Sequence, residues 1–311
     1  MKHIFLIDPI EKLKLHKDSS LFLALSFKQA GHEVYFLFTT DFSISSRGKN
    51  PQIVYNFETK VKSDFYMSDF KLLESKEIEF KQGDVLHFRP DPPVDATYLN
   101  LCWMSQFLKN KYKITIVNDP IGAVSFNEKL LSFKEKNSLS SLVSNNFKEF
   151  KSFADSFNNI EHFIVKPLNL FSGIGVEKYN KADLATLENR LKTSDDFLLM
   201  QPFDPLVIKG EVRSIYWDGS YLGSVLKVPK HGSFLANTSE GSSIEHYELE
   251  TELATQCRVI CRDLLKVGVR LVAFDILNKN ISEVNITCPS LLVELSHIHQ
   301  KNVAAEIVTS F

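Results

Sequence analysis

Two acidic residues that face each other across a short hairpin constrain this chain more than any other feature. In residues 271–289 (LVAFDILNKNISEVNITCP), two β-branched apolar runs flank the polar turn Asn278-Lys279-Asn280, which is the pattern of a β-hairpin. With the turn centred on Lys279, Asp275 stands opposite Glu283, and period-2 alternation puts Asn285 on the same face as Glu283. Like charges placed opposite each other destabilise a sheet, so this pairing calls for a cation. Two carboxylates and an amide oxygen form a hard site suited to Mg²⁺, which keeps waters and shares phosphate oxygens. A surface hairpin with solvated acids is the plainer alternative, and spacing alone leaves both open.

The N-terminal part reads as an α/β unit. Residues 3–7 form a buried strand, and Leu21, Leu25 and Phe27 mark a helix capped by Asp18 or Ser19. Gly31 ends it, and residues 33–38 (EVYFLF) are the next strand. Strand, helix and strand in this order call for a parallel sheet, whose ligands bind beyond the carboxyl ends of the strands. Asp8, Lys17 and Asp18 fall at that edge. Residues 41–80 are polar and mixed, with one strand expected at 53–57. A strand over 84–88 runs into Arg89-Pro90-Asp91-Pro92-Pro93-Val94-Asp95. The prolines stiffen this loop, so it can present Arg89 and the aspartates to a substrate. A helix over 96–108 and a strand over 113–117 lead to a domain boundary near residue 122.

Beyond it a helix is expected to open at Asn127-Glu128-Lys129, and a strand over 162–165 delivers Lys166-Pro167. The small-residue turn from Ser172 to Val176 can bring backbone N–H groups against phosphate oxygens, though two glycines are a weak signal. A helix over 181–191, a strand over 197–201 and an antiparallel pair turning at Asp218-Gly219 follow. A flexible loop over 230–243 and an amphipathic helix over 248–265 complete the approach to the hairpin. The histidines at 16, 231 and 299 have no partner at a recognisable spacing.

Composition excludes several classes. A formal net charge of −2 gives no electrostatic case for nucleic acid or an anionic membrane. The four cysteines form no Cys-x-x-Cys pair, so a zinc site is not expected. Asp8 and Pro9 interrupt the first apolar run too early for a signal peptide, and no run approaches the ~20 residues needed to span a bilayer. Cytoplasmic location is the expectation. No Gly-x-Gly-x-x-Gly follows the first strand, so a dehydrogenase reading fits poorly.

Taken in order, the motifs are Asp8-Pro9 with Lys17-Asp18-Ser19, the 89–95 loop, and Asn118-x-Pro120 with Asn127-Glu128-Lys129. They continue with Lys166-Pro167-Leu168, Arg213, Phe234-x-Ala236-Asn237 with Gly241, and Asp275-(x)7-Glu283-x-Asn285-x-Thr287-x-Pro289. Together they make the chain resemble bacterial glutathione synthetase, among the ATP-grasp ligases, nearly end to end. The resemblance implies a fold mixing α/β and α+β. A parallel-sheet, Rossmann-like (preATP-grasp) substrate domain over 1–122 would precede an ATP-grasp module over 123–311, with lobes 123–200 and 201–311.

It also implies roles. Lys129 and Lys166 would hold ATP phosphates with Gly173 in the phosphate turn, and Gln201, Pro202 and Phe203 would meet adenine. Glu211 would lie near the ribose, Asn237 with the nucleotide, and Arg213 at the reacting centre. Asp18, Ser19, Arg89, Asp91 and Thr287 would contact substrate, and Asp275, Glu283 and Asn285 would ligate Mg²⁺, with Mn²⁺ as a substitute. The implied partners are ATP, γ-glutamylcysteine and glycine, with neither nucleic acid nor membrane, and assembly as a homo-oligomer, commonly a tetramer among relatives. The implied reaction activates a carboxylate as an acyl phosphate and joins it to an amine; positioning and charge neutralisation suffice for it. A ligase for a different acid and amine, or a nucleotide-binding protein without turnover, are the alternatives. They are motivated by departures from the family pattern: Leu170 and Ser172 where glycines are usual, Leu235 and Glu240 where arginines are common, and Leu291-Leu292 in place of a glycine.

Overall fold

Among the described residues, three sheets form the framework, each built where apolar and β-branched residues cluster. The computed structural model describes residues 1–193, 196–238 and 241–311. The first sheet contains β1 (Lys2–Ile7), β2 (Glu33–Phe38), β3 (Gln52–Val61), β4 (Met67–Ile78), β5 (Val85–Phe88) and β6 (Thr115–Val117), in the order β4-β3-β2-β1-β5-β6. Its β2-β1-β5-β6 portion is parallel, as expected, whereas β3 and β4 join antiparallel. The strand expected at 53–57 is only the start of β3. Its hairpin with β4 was not legible because two register shifts break the side-chain alternation. Helices α1 (Ser19–Gln29) and α2 (Ala96–Tyr112) cover the two faces of this sheet. Asp18 caps α1, its carboxylate accepting from the N–H groups of Ser20 and Leu21 at 2.8 and 2.9 Å.

A short helix, α3 (Pro120–Val124), follows. No helix opens at Asn127. The segment runs in turns instead, because its polar groups bond outward rather than along a helix. Asn127 donates to the Leu168 carbonyl, and the Glu128 carboxylate is committed to the hairpin strand.

The second sheet is antiparallel, in the order β7-β10-β8-β9. It comprises β7 (Leu142–Ser144), β8 (His162–Pro167), β9 (Glu177–Asn180) and β10 (Leu198–Pro202), packed against α4 (Phe147–Asp155) and α5 (Ala185–Thr193). It has its own core, centred on Phe150, Phe163, Val165, Leu187 and Met200.

The third sheet, also antiparallel, runs β13-β12-β11-β14-β15. Its strands are β11 (Glu211–Trp217), β12 (Ser220–Val228), β13 (Ser243–His246), β14 (Leu271–Leu277) and β15 (Asn280–Asn285). Helix α6 (Thr251–Leu265) packs on one face. Helices α7 (Leu292–His299) and α8 (Val303–Val308) pack on the other, in a core continuous with α1 and the first sheet. Among the described residues no helix is long and apolar enough to cross a membrane.

The β14–β15 hairpin turns on Asn278 and Lys279 alone, both at positive φ (47° and 67°), as a two-residue turn requires. A bulge after Asp275 adds back the missing residue, so Asp275 does pair with Glu283 and Ala273 with Asn285. Asn118, just past β6, staples this hairpin to the first sheet. Its amide donates to the carbonyls of Leu271 and Ile286 at 2.7 and 2.9 Å and accepts from the N–H groups of Arg270 and Leu271. All four hydrogen-bonding positions of the amide are thereby used.

Candidate active site

The carboxyl ends of β1 and β5, the end of β10 and the polar face of β11, β12, β14 and β15 converge on one cavity of about 1030 Å³. Pockets for small ligands run roughly 300–1,000 Å³, so this one lies at the top of that range. Every site residue named from the sequence lines it.

Asp275 stands at its centre, 6% exposed. Register places Arg213 on β11 directly opposite, and the guanidinium donates to both carboxylate oxygens at 2.8 and 2.7 Å. Lys227 on β12 adds a third donor at 2.7 Å and the Asn285 amide a fourth at 3.1 Å. An ionised carboxylate offers about four lone-pair positions, so those of Asp275 are filled. Burial alone would raise its pKa, but Arg213 and Lys227 hold it well below the usual carboxylate range. Lys227 also reaches Glu211 at 2.8 Å. Glu283 faces Lys129 at 3.1 Å and Lys166 at 3.9 Å. The repulsion between the opposed acids is therefore met inside the chain by four basic side chains.

Two functional positions were missed from the sequence. Lys227 was one, although a lysine in the otherwise apolar run SYLGSVLKV, directly across from Glu211, was a readable signal. Glu128 was the other. One of its carboxylate oxygens accepts from Ile286 N–H, Thr287 N–H and the Thr287 hydroxyl at 2.6, 2.8 and 2.9 Å. It thus fixes the strand that leaves the hairpin and orients Thr287. Burial, with Glu283 nearby, pushes its pKa up.

At the other end of the cavity, Arg89 is 6% exposed and donates to the Ser20 hydroxyl at 2.9 Å and the Pro289 carbonyl at 2.7 Å. The Ser19 hydroxyl accepts from Leu292 N–H at 3.0 Å. Both residues brace the wall where α1 meets the chain beyond the hairpin. Burial pushes the Asp18 pKa up to about 6, with Asp91 adding to the rise, and raises that of Asp91 as well.

The second sheet supplies the opposite wall. Strand β7 pairs with β10 only as far as Met200, so on that side Gln201, Pro202 and Phe203 have no pairing strand among the described residues. The turn after Lys166 keeps the backbone that glycines would favour: Ser172, Gly173 and Gly175 all have positive φ (52°, 75° and 71°). Ser172 holds this conformation despite its side chain, at a cost of roughly 1–2 kcal/mol. Leu291 is likewise at positive φ (79°). The Asn237 amide donates to the Ser172 carbonyl, tying the 230s loop to this turn. Leu235 lies over Gly173, and Glu240 lies outside the described residues.

An antiparallel lobe and a larger antiparallel sheet, closing on lysines from both sides of one cavity and continuous with an N-terminal α/β sheet, define an ATP-grasp ligase. Solved ATP-grasp structures share this fold. The D-cycloserine synthetase DcsG superposes with a TM-score of 0.66 at 13% identity, covering 98% of this chain and 99% of that one. The macrocyclase MdnC from Microcystis aeruginosa superposes with a TM-score of 0.65 at 16% identity, covering the whole of both chains. More narrowly, residues 1–123 match the prokaryotic glutathione synthetase N-terminal domain and residues 128–300 its ATP-grasp domain, and the chain belongs to that family. The glutathione synthetase of Prochlorococcus marinus is 28% identical, over 99% of this chain and 98% of its own length. That of Coxiella burnetii is 26% identical, over 97% and 94%. The protein is an ATP-dependent ligase that forms carbon–nitrogen bonds between small molecules, in a family that uses ATP with a divalent metal.

Proposed function

We propose that the ligase joins the carboxylate of γ-glutamylcysteine to the amine of glycine, with Mg²⁺ as the metal. The observation that carries this is the convergence on one cavity of a basic cluster on the third sheet and the second sheet with a carboxylate- and arginine-lined end on the first. ATP supplies the phosphoryl group that turns the acid into an acyl phosphate, from which the amine displaces phosphate. Lys129 and Lys166, with the N–H groups around Gly173, hold phosphate oxygens by charge and hydrogen bonding. The side of the chain that β7 leaves uncovered beyond Met200, along Gln201, Pro202 and Phe203, meets adenine, Glu211 faces the ribose, and Asn237 keeps the loop over the phosphates. Arg213 stabilises the charge that develops at the reacting carboxyl. Asp18, Ser19, Arg89, Asp91 and Thr287 shape the substrate end.

The donor chemistry fits the metal: Asp275, Glu283 and Asn285 present oxygen ligands on one face of a hairpin. Because Asp275 is already saturated, ligation there replaces one of its present donors, whereas Glu283 keeps one side toward the cavity. A substrate domain over 1–122, an ATP-grasp module over 123–311 and a homotetramer complete the reading. Leu235, in place of an arginine, favours a second one, a different acid partner.

The test is to incubate the purified protein with ATP, Mg²⁺, γ-glutamylcysteine and glycine. ADP, phosphate and glutathione should form in equal amounts, and Glu283→Ala or Asp275→Ala should abolish all three. Background phosphate release with these substrates, but turnover with another acid–amine pair, would reject the substrates and keep the ligase.

A further inference from the structure

We propose a second cation site, for a transition metal such as Zn²⁺, at the rim of the third sheet, formed by His246, Glu248 and His299. Among the described residues these are the one group of three whose ligand atoms all lie within 4.8 Å of one another. His246 closes β13, Glu248 lies two residues on, and His299 closes α7. The His246 Nε2 is 3.1 Å from a Glu248 oxygen, and the two imidazole rings lie 4.9 Å apart at 46°.

What separates this cluster from a solvated His–Glu pair is its support. The His299 Nε2 is 2.8 Å from the Ser224 carbonyl, which only accepts, so Nε2 carries the proton and Nδ1 keeps its lone pair. Histidine ligands of metals are commonly oriented in this way, by donating their other nitrogen to a carbonyl. Ser224 is fully buried on β12, and its hydroxyl donates at 2.8 Å to the carbonyl of Tyr247, the residue between His246 and Glu248. A single buried serine therefore orients both arms of the cluster. Two imidazoles and one carboxylate are a nitrogen-rich set that suits Zn²⁺ rather than Mg²⁺, with the fourth position open to water.

The position has a consequence. Strand β13 follows directly on the 230s loop, from which Phe234, Leu235 and Asn237 line the cavity. A metal joining the end of β13 to the end of α7 fastens the anchor of that loop without touching the reacting atoms. The site does not depend on which acid and amine the ligase uses.

The test strips the full-length protein with a chelator and saturates the active-site carboxylates with excess Mg²⁺. It then titrates Zn²⁺ by calorimetry and, separately, Co²⁺ by visible absorption. Wild type should take up one Zn²⁺ per chain, gain thermal stability with it, and give the intense visible bands of four-coordinate Co²⁺. The His246→Ala/His299→Ala double variant should lose that uptake and those bands and gain no thermal stability from Zn²⁺, while its circular dichroism spectrum in chelator stays that of the folded wild type. Ser224→Ala keeps all three ligands and the carbonyl that orients His299 and loses only the hydroxyl bond to Tyr247, so it should bind Zn²⁺ more weakly than wild type while keeping the Co²⁺ bands. Equal Zn²⁺ uptake by wild type and the double variant, or none by wild type, would overturn the proposal.

Discussion

Replacing Lys227 by methionine tests directly whether the acids of the cavity are neutralised from within the chain. Lys227 is 5% exposed and bridges Asp275 at 2.7 Å and Glu211 at 2.8 Å. Methionine keeps most of the side-chain volume and removes the charge. Breaking a buried ion pair from one side costs roughly 3–5 kcal/mol, because the remaining charge stays buried. Arg213 still holds Asp275, and the Glu211 side chain retains 20% exposure, so the lower end, ~3 kcal/mol, is expected. At roughly 2 °C per kcal/mol for a large chain, the melting temperature should fall by about 6 °C. Thermal melts followed by circular dichroism at pH 7 measure this. Adding Glu211→Gln to Lys227→Met should recover part of the loss, since one of the stranded acids is then gone. A melting temperature within about 1 °C of wild type would show that Lys227 does not neutralise Asp275, and that this account of the cluster is wrong.

Three further outcomes are expected. Asp18 has a folded pKa near 6 against about 3.9 unfolded, so the folded state binds the extra proton between these values and stability falls as pH rises through that window. Asp18→Asn should flatten that slope and stabilise the fold by up to roughly 2–3 kcal/mol at pH 7, read from urea midpoints between pH 4 and 7. Glu128→Ala leaves two N–H groups and the Thr287 hydroxyl without their acceptor; a loss of roughly 1–3 kcal/mol is expected, with a larger fall in kcat than in KM if Thr287 must be held in place during the reaction. Leu235→Arg adds positive charge at the cavity wall and should lower KM for the acid substrate with little change in kcat, measured by steady-state phosphate release.

The hairpin shows both how far residue patterns reach and where they stop. Opposition of Asp275 and Glu283 was readable from the two apolar runs, yet it arises from a two-residue turn plus a bulge rather than from a turn centred on Lys279. Period-2 reasoning reports the sum of those two features and cannot separate them. Strand β4 was invisible because it is largely exposed and its partner slips register twice. The turns after Asn127 escaped notice for the opposite reason: bonds to residues 41 and 158 positions away outweigh a local helical preference. Site residues were legible wherever a charged side chain interrupts an apolar strand, as at Asp275, Glu283 and Lys166. Lys227 obeys the same rule and belongs to the same cluster.

The core joining α1, α7 and α8 to both the first and third sheets has a mechanical consequence. Those two sheets share one oily seam, from Phe5 and Leu21 through Leu292 and Val303 to Trp217, and so behave as a single rigid jaw. The second sheet, with a core of its own, is the opposing jaw and the natural one to swing. Cutting the chain after residue 122 would split the rigid jaw down its greasy middle, so the N-terminal fragment should aggregate rather than fold alone.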